Sequence, residues 1–235
     1  MKGKLYLIPT SLGDNESLTN VLPQHNFSVL KSLEIFIVEN LRTARRFIKK
    51  SGHELPIDAM TFFELGKHTP EDTIQSFLDP ALTGKSIGLL SEAGTPCIAD
   101  PGAAIVSIAH RLKLQVIPLV GPNSIIMALM ASGFNGQQFT FHGYLPVDKG
   151  ELLKKIRQME GSVLKNNQTQ IFIETPFRNR KLFETILSNC SRQFKLCVAT
   201  NLSLPSESIK TLAVADWKKE TVDIHKKPTV FLLYK

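Results

Sequence analysis

Residues 91–102, SEAGTPCIADPG, concentrate the groups in this sequence best suited to holding a small ligand. They comprise two glycines, two prolines, two acids, a serine, a threonine and four other residues. Gly94 and Gly102 permit positive φ and close backbone approach, while Pro96 and Pro101 stiffen the turn. The expected product is a rigid rim of backbone amides and carbonyls, suited to an adenosine or amino-acid group; a plain connector is the competing reading. Glu39 and Glu174 each end an apolar run (IFIVE and IFIETP) and either face a cleft or leave the core for water. Arg42 and Arg178 follow them at three and four residues, as local helix-start ion pairs or as anion-binding arginines. His68, in GKHTP, is a loop histidine or a base.

Other chemistry is disfavoured. The turn after the first apolar run lacks GxGxxG, and GxxxxGK[ST] and GxSxG are absent, which argues against a classical dinucleotide fold, a P-loop and a nucleophile elbow. Three cysteines without CxxC spacing and six scattered histidines indicate no disulfide framework, no metal site and a reducing cytoplasm. No apolar run approaches the roughly 18 residues that span a bilayer, and the opening MKGKLYLIPTSLGD reads as a strand rather than a signal peptide. The net charge of +7 sits wholly in the second part of the chain: residues 1–150 hold 13 basic and 13 acidic side chains, residues 151–235 hold 15 and 8. That asymmetry fits a polyanionic partner for the second half, or merely solvated helix faces.

The elements that would position these groups follow from periodicity. Residues 5–8, 35–38, 61–65, 87–90 and 116–119 are short, apolar and rich in β-branched or aromatic side chains, as expected of strands buried on both faces. Between them, residues 40–50, 70–78 and 101–112 have helical spacing, the last with Asp100 as N-cap and Pro101 at the first helical position. This alternation predicts a doubly wound, mostly parallel α/β domain over residues 1–119. Gly121-Pro122 breaks the chain, Asn123 or Ser124 can cap a helix and Gly133 can end it. A second, basic α/β domain is expected over residues 120–235. Its strands are read at 139–144, 170–174, 195–202, 209–214 and 229–234, with helices at 151–164 and 177–190. Residues 91–102 then sit at the carboxyl end of a central strand, where open α/β sheets bind ligands.

These residues resemble the tetrapyrrole methylase superfamily, the class III S-adenosylmethionine-dependent methyltransferases, and within it the small-subunit ribosomal RNA ribose 2'-O-methyltransferases. SEAGTPCIADPG is nearly that family's signature. Pro9 and Gly13, Glu39 with Arg42, His68, Gly121-Pro122, Ala128, Ser132-Gly133, GYLP at 143–146 and ETPFR at 174–178 support it. The resemblance implies two α/β domains, the second with a mixed sheet, a cofactor cleft between them, and a homodimer. It also implies S-adenosyl-L-methionine as cofactor, touching Pro9, Glu92, Ala93, Gly94, Thr95, Pro96, Cys97, Asn123, Ser124, Ile173, Glu174, Thr200, Asn201, Pro228 and Thr229. Glu39 and His68 are then the candidate catalytic bases, and Arg42 and Arg178 the candidate substrate contacts.

The chain departs from that pattern on the acceptor side. Asn40 and Leu41 replace an acid and a threonine, and Thr69 replaces an asparagine after the histidine. Where the ribosomal RNA enzymes carry Arg-Glu-Leu-Thr-Lys, this chain reads TNLSLPSE at 200–207. Ribose methylation of ribosomal RNA is the reading that the resemblance favours. C-methylation of a tetrapyrrole and a non-catalytic, cofactor-binding RNA or assembly protein are its rivals.

Overall fold

Each of the five apolar runs in the first half forms a strand, and their alternation sorts side chains to two faces. The computed structural model describes residues 1–14, 17–66 and 69–235. It divides into two compact units, Met1–Asn123 and Ser124–Lys235. In chain order the first unit comprises β1 (Lys4–Ile8), α1 (Gln24–Lys31), β2 (Ile35–Val38), α2 (Leu41–Lys50), β3 (Thr61–Glu64), α3 (Glu71–Ser76), α4 (Asp79–Leu82), β4 (Ile87–Leu90), α5 (Gly102–Arg111) and β5 (Gln115–Pro118). Its sheet is parallel throughout, in the order β3-β2-β4-β1-β5. In β2, Ile35 and Ile37 pack on one face with Ile74, Ala81 and Ile105 from α3, α4 and α5. Phe36 and Val38 pack on the other with Val29, Ala44 and Ile48 from α1 and α2. This is the doubly wound arrangement that the continuous apolar runs predict.

Helix α1 has no counterpart in the sequence reading. Its start, Gln24-His25-Asn26, is polar, and only Phe27, Val29 and Leu30 are apolar and buried. A signal was nevertheless available. Parallel strands need a crossover of about a dozen residues or more, usually helical, so β1 and β2 call for a helix between them.

In this strand order the chain leaves β1 toward β2 and leaves β4 toward β5, on opposite sides. The carboxyl ends of β1 and β4 therefore flank a topological switch point, the usual ligand crevice of an open α/β sheet.

The second unit comprises α6 (Ser124–Ser132), β6 (Phe139–Tyr144), α7 (Lys149–Asn166), β7 (Thr169–Ile173), α8 (Asn179–Asn189), β8 (Lys195–Thr200), β9 (Ser208–Ala213) and β10 (Thr229–Tyr234). Its sheet order is β6-β7-β10-β8-β9. Only β6 and β7 pair in parallel, so the sheet is mixed, as expected. Gly133, at φ +75°, follows the last residue of α6, matching its reading as a helix stop. Leu152, Ile156, Met159 and Val163 of α7 meet Leu182, Phe183 and Ile186 of α8 over Phe172, Phe231 and Trp217. Trp217 is fully buried and donates its indole N–H to the Leu196 carbonyl at 2.9 Å, so its burial leaves no unpaired donor. Helix α6 lies against β9 and β10.

Candidate functional site

Three loops at the carboxyl edge of the parallel sheet are tied to one another. Thr10, just after β1, donates its backbone N–H to the Gly94 carbonyl at 3.0 Å, and its hydroxyl lies 3.3 Å from the Ser91 carbonyl. The Ser91 hydroxyl also donates to Gly94 O. Gly94 has φ +75°, and a Cβ there would stand 2.9 Å from both the Pro122 carbonyl and Leu12 Cδ2. A Cβ on Gly121 would come within 2.3 Å of Pro9 Cγ. The Asn123 amide donates to the Thr95 hydroxyl at 2.6 Å. The structure thus brings Pro9, Gly94, Thr95 and Asn123 together around β1, β4 and β5.

Gly102 corrects one expectation. It does not adopt positive φ; the left-handed positions beyond Gly94 are Cys97 (φ 68°) and Ala99 (φ 64°). Gly102 is required for space instead, since a Cβ there would meet Asp100 Oδ1 at 2.9 Å and Leu89 Cδ2 at 3.0 Å. The Asp100 carboxylate explains how the strained backbone persists. It accepts from the Cys97 N–H at 2.8 and 2.9 Å and from the Gly102 N–H at 2.7 Å. The N-cap of α5 is Pro101 and the helix begins at Gly102, one residue later than the sequence suggested. Asp100 therefore stands just before the cap, holds the Gly102 N–H and folds the loop back on itself. Left-handed non-glycine residues cost on the order of 1–3 kcal/mol each and collect at ligand sites.

A cavity of about 260 Å³ adjoins this rim, lined among others by Thr10, Gly13, Thr43, Arg46, Ser91, Glu92 and Ala93. Glu92 is exposed, and its carboxylate receives the Thr43 hydroxyl from the first turn of α2. Asn40, one of the departures, is the N-cap of α2: its Oδ1 accepts from Arg42 N at 2.9 Å and Thr43 N at 3.2 Å. Glu39 stands half-buried directly after β2, and Arg42 is exposed on α2. His68 lies outside the described residues.

In the second unit, pairing in the sheet gathers residues that are distant in sequence. Thr229 is the cross-strand partner of Thr200, and Val230 that of Ile173. The Asn201 N–H donates to the Pro228 carbonyl at 3.0 Å, and the Thr200 and Thr229 hydroxyls are 3.4 Å apart. Ile173, Glu174, Thr200, Asn201, Pro228 and Thr229 therefore share one end of this sheet, and Ser124 opens α6. Glu174 is buried, paired with Arg178 at 2.8 Å, and accepts from Thr175 N at 2.7 Å. Arg178 thus makes the local ion pair. Asn201 and Ser203 have φ 51° and 65°, and the Ser203 hydroxyl is buried without a hydrogen-bond partner. Asn179, which the sequence reading passed over, is fully buried and donates to the Ile224 and Lys227 carbonyls at 3.2 and 2.7 Å, anchoring the approach to β10.

Burial, and secondarily Asp100, pushes the Cys97 thiol up to about 12, so it is a neutral group beside the rim. Burial likewise raises Cys190 and Cys197. Among the described residues there is no cluster of His, Cys, Asp and Glu able to hold a metal ion, and no helix long and apolar enough to cross a membrane.

The two-unit fold is that of a class of methyltransferases. The methyltransferase CobJ superposes with a TM-score of 0.64 at 16% identity, covering 99% of this chain and 94% of that one. A uroporphyrin-III C-methyl transferase from Thermus thermophilus, complexed with S-adenyl homocysteine, gives 0.58 at 18%, covering 99% and 98%. At these identities the likeness is one of fold. No family model matches the chain. Ribosomal RNA small subunit methyltransferase I of Vibrio cholerae is 31% identical over 232 residues, covering 97% of this chain and 76% of the relative. That of Bacillus subtilis is 34% identical over 176 residues, covering 75% and 56%. The chain belongs to the ribosomal RNA small subunit methyltransferase I family.

Proposed function

We propose that this protein transfers a methyl group from S-adenosyl-L-methionine to a ribose 2'-hydroxyl of small-subunit ribosomal RNA. The observation that carries the reading is the bonded rim at the switch point: Gly94, Thr95 and Asn123 held against Thr10 and Pro9. Its backbone groups, the Thr95 hydroxyl and the Glu92 carboxylate fit a donor that presents an ammonium, a carboxylate and ribose hydroxyls. When bound, the donor supplies a methyl group already activated by its sulfonium, so alignment and exclusion of water remain for the protein. In the first unit we assign donor contacts to Pro9, residues 92–97 and Asn123. In the second we assign them to Ser124, Ile173, Glu174, Thr200, Asn201, Pro228 and Thr229. Glu39 accepts the proton of the attacking hydroxyl, a poor nucleophile at neutral pH, with His68 the other candidate base. Arg42 and Arg178 contact the acceptor. Cytoplasmic residence and a homodimer complete the proposal, and sedimentation equilibrium tests the dimer.

The test is methyl labelling of total RNA and of a tetrapyrrole precursor by purified protein, with ribose methylation mapped by resistance to alkaline hydrolysis. Label in small-subunit RNA is expected. Label only in the tetrapyrrole would replace the acceptor, and label in neither, with donor binding intact, would favour a non-catalytic protein. Glu39→Ala should lower turnover about 10²–10⁴-fold, the usual worth of a general base, with donor affinity retained. Turnover near the wild-type rate would remove Glu39 from the chemistry.

A further inference from the structure

The basic half of the chain contains a second cavity of about 260 Å³, remote in sequence from the SEAGTPCIADPG rim. It is lined by Val147, Lys149, Leu152, Glu174, Arg178, Lys181, Leu182 and Thr185. Its charge is unusual for where it lies. Lys149 is the first residue of α7, Arg178 is the N-cap residue of α8, and Lys181 lies in the first turn of α8. Helix N-termini carry partial positive charge and favour acids, so cations placed there oppose the ordinary electrostatics of a helix. Helix α8 opens with no side-chain cap and no acidic residue in its first turn. The one carboxylate in the cavity is no free counter-charge, because buried Glu174 already pairs with Arg178. Lys149 and Lys181 are exposed, and neither has an ion-pair partner among the described residues. Helix α7, by contrast, opens with Asp148 as its N-cap and Glu151 in its first turn. Two ammonium groups without ion-pair partners among the described residues and two helix N-terminal turns thus converge on one concavity that α8 leaves without acidic compensation. Local rules broken without a folding benefit are expected at functional sites.

The remaining lining narrows the ligand. Leu152 and Leu182 provide an apolar floor, and Val147, 71% exposed, an apolar lip. Phe177, next to Arg178 in sequence, is also 71% exposed, with the Lys226 ammonium 5.8 Å from its ring centroid. Cationic and apolar contacts side by side suit a nucleotide better than a small inorganic ion. We propose that this cavity binds a backbone phosphate of an unpaired RNA segment through Lys149 and Lys181, with Phe177 as a stacking surface for a neighbouring base. The inference rests on the ribosomal RNA reading and adds where the second unit grips that substrate.

The experiment measures retention of an unmethylated small-subunit ribosomal RNA transcript on filters across a salt series. The proteins are wild type, a Lys149→Gln/Lys181→Gln double variant, Phe177→Ala, and a Lys165→Gln/Lys218→Gln control with the same change of charge. Single-stranded contacts contribute a slope of about 0.7 per phosphate in log K against log salt, so the double variant, which releases one phosphate, should lose about 0.7. Extrapolated from 1 M, that is roughly 5-fold weaker binding at 0.1 M salt. Phe177→Ala should weaken binding by roughly 5- to 100-fold with the slope unchanged, because stacking releases no counterions. The control should change the slope by much less than the double variant. An equal loss in the control, or an unchanged slope in the double variant, overturns the cavity while leaving the RNA reading intact. Wild-type protein that neither retains nor labels the transcript overturns both. Thermal unfolding and S-adenosylhomocysteine titration check that each variant is folded and binds the donor's product.

Discussion

At the rim after β4 the left-handed backbone positions are Gly94, Cys97 and Ala99; at the turn after β8 they are Asn201 and Ser203. Both turns end buried strands, and both strain non-glycine residues. They differ in how the strain is held. Around Gly94 bonds cross between loops, from Thr10 to Gly94 and from Asn123 to Thr95, while Asp100 ties Cys97 and Gly102 within the loop itself. The turn after β8 is held mostly by itself, through Leu204 N to Asn201 O, Asn201 Nδ2 to Ser206, and Ser203 N to Glu207. It also buries a hydroxyl with no partner. The first rim is over-determined, as pre-organisation of a ligand site requires. The second is locally closed and carries an unsatisfied group.

That contrast can be tested by substitution. Gly94→Ala should be the most damaging change, since it strains φ and drives a Cβ into Pro122 O and Leu12. A loss of about 2–4 kcal/mol in stability is expected from strain plus overpacking, with donor affinity reduced at least tenfold. Denaturant unfolding and calorimetry would measure both, and a neutral outcome would show that the rim yields easily. Asp100→Ala leaves two N–H groups without their acceptor and should cost about 1–3 kcal/mol, read in the same unfolding series.

Ser203→Gly should act in the opposite direction. It relaxes φ and removes the orphan hydroxyl, offset by the greater freedom of glycine in the unfolded chain, for a net gain of about 1 kcal/mol. A fall in melting temperature would mean that the hydroxyl has a partner in solution.

Cys97 supplies the smallest effect. A thiol raised to about 12 stays protonated at pH 8.5, so iodoacetamide should modify it more slowly than a free cysteine. The sign of the linkage follows: the folded state keeps this proton where the unfolded state has lost it. The contribution of Cys97 is intact below about pH 9, and stability falls as pH rises from there toward 12. Labelling at the rate of an exposed cysteine would show that the rim opens readily.

Much of this architecture was legible in the residues. Apolar runs such as IFIV and IGLL identified strands buried on both faces because only a two-sided core tolerates such runs. Glycine and proline after β4 marked the loop read as the candidate ligand site, and the uneven lysine and arginine content located the basic unit. Glu174 was visible as a strand-end acid, but its neutralisation by Arg178 needed the geometry of the turn.

Tertiary structure decided what depends on neighbours remote in sequence. Strand order placed β1 beside β4, so Thr10 meets Gly94; parallel pairing leaves no mark in either strand's own pattern. Helix α1 is short and polar at its start, and it is held in part by Asn26 donating to the Val120 carbonyl, a bond invisible to periodicity. Glycine marks where positive φ is free of strain, yet Cys97 and Ala99 adopt it while Gly102 does not, because the Asp100 carboxylate outweighs local preference. The sequence by itself determined that the second half is basic. Only the packing of α7 against α8 decided that Lys149 and Lys181, more than thirty residues apart, line one cavity.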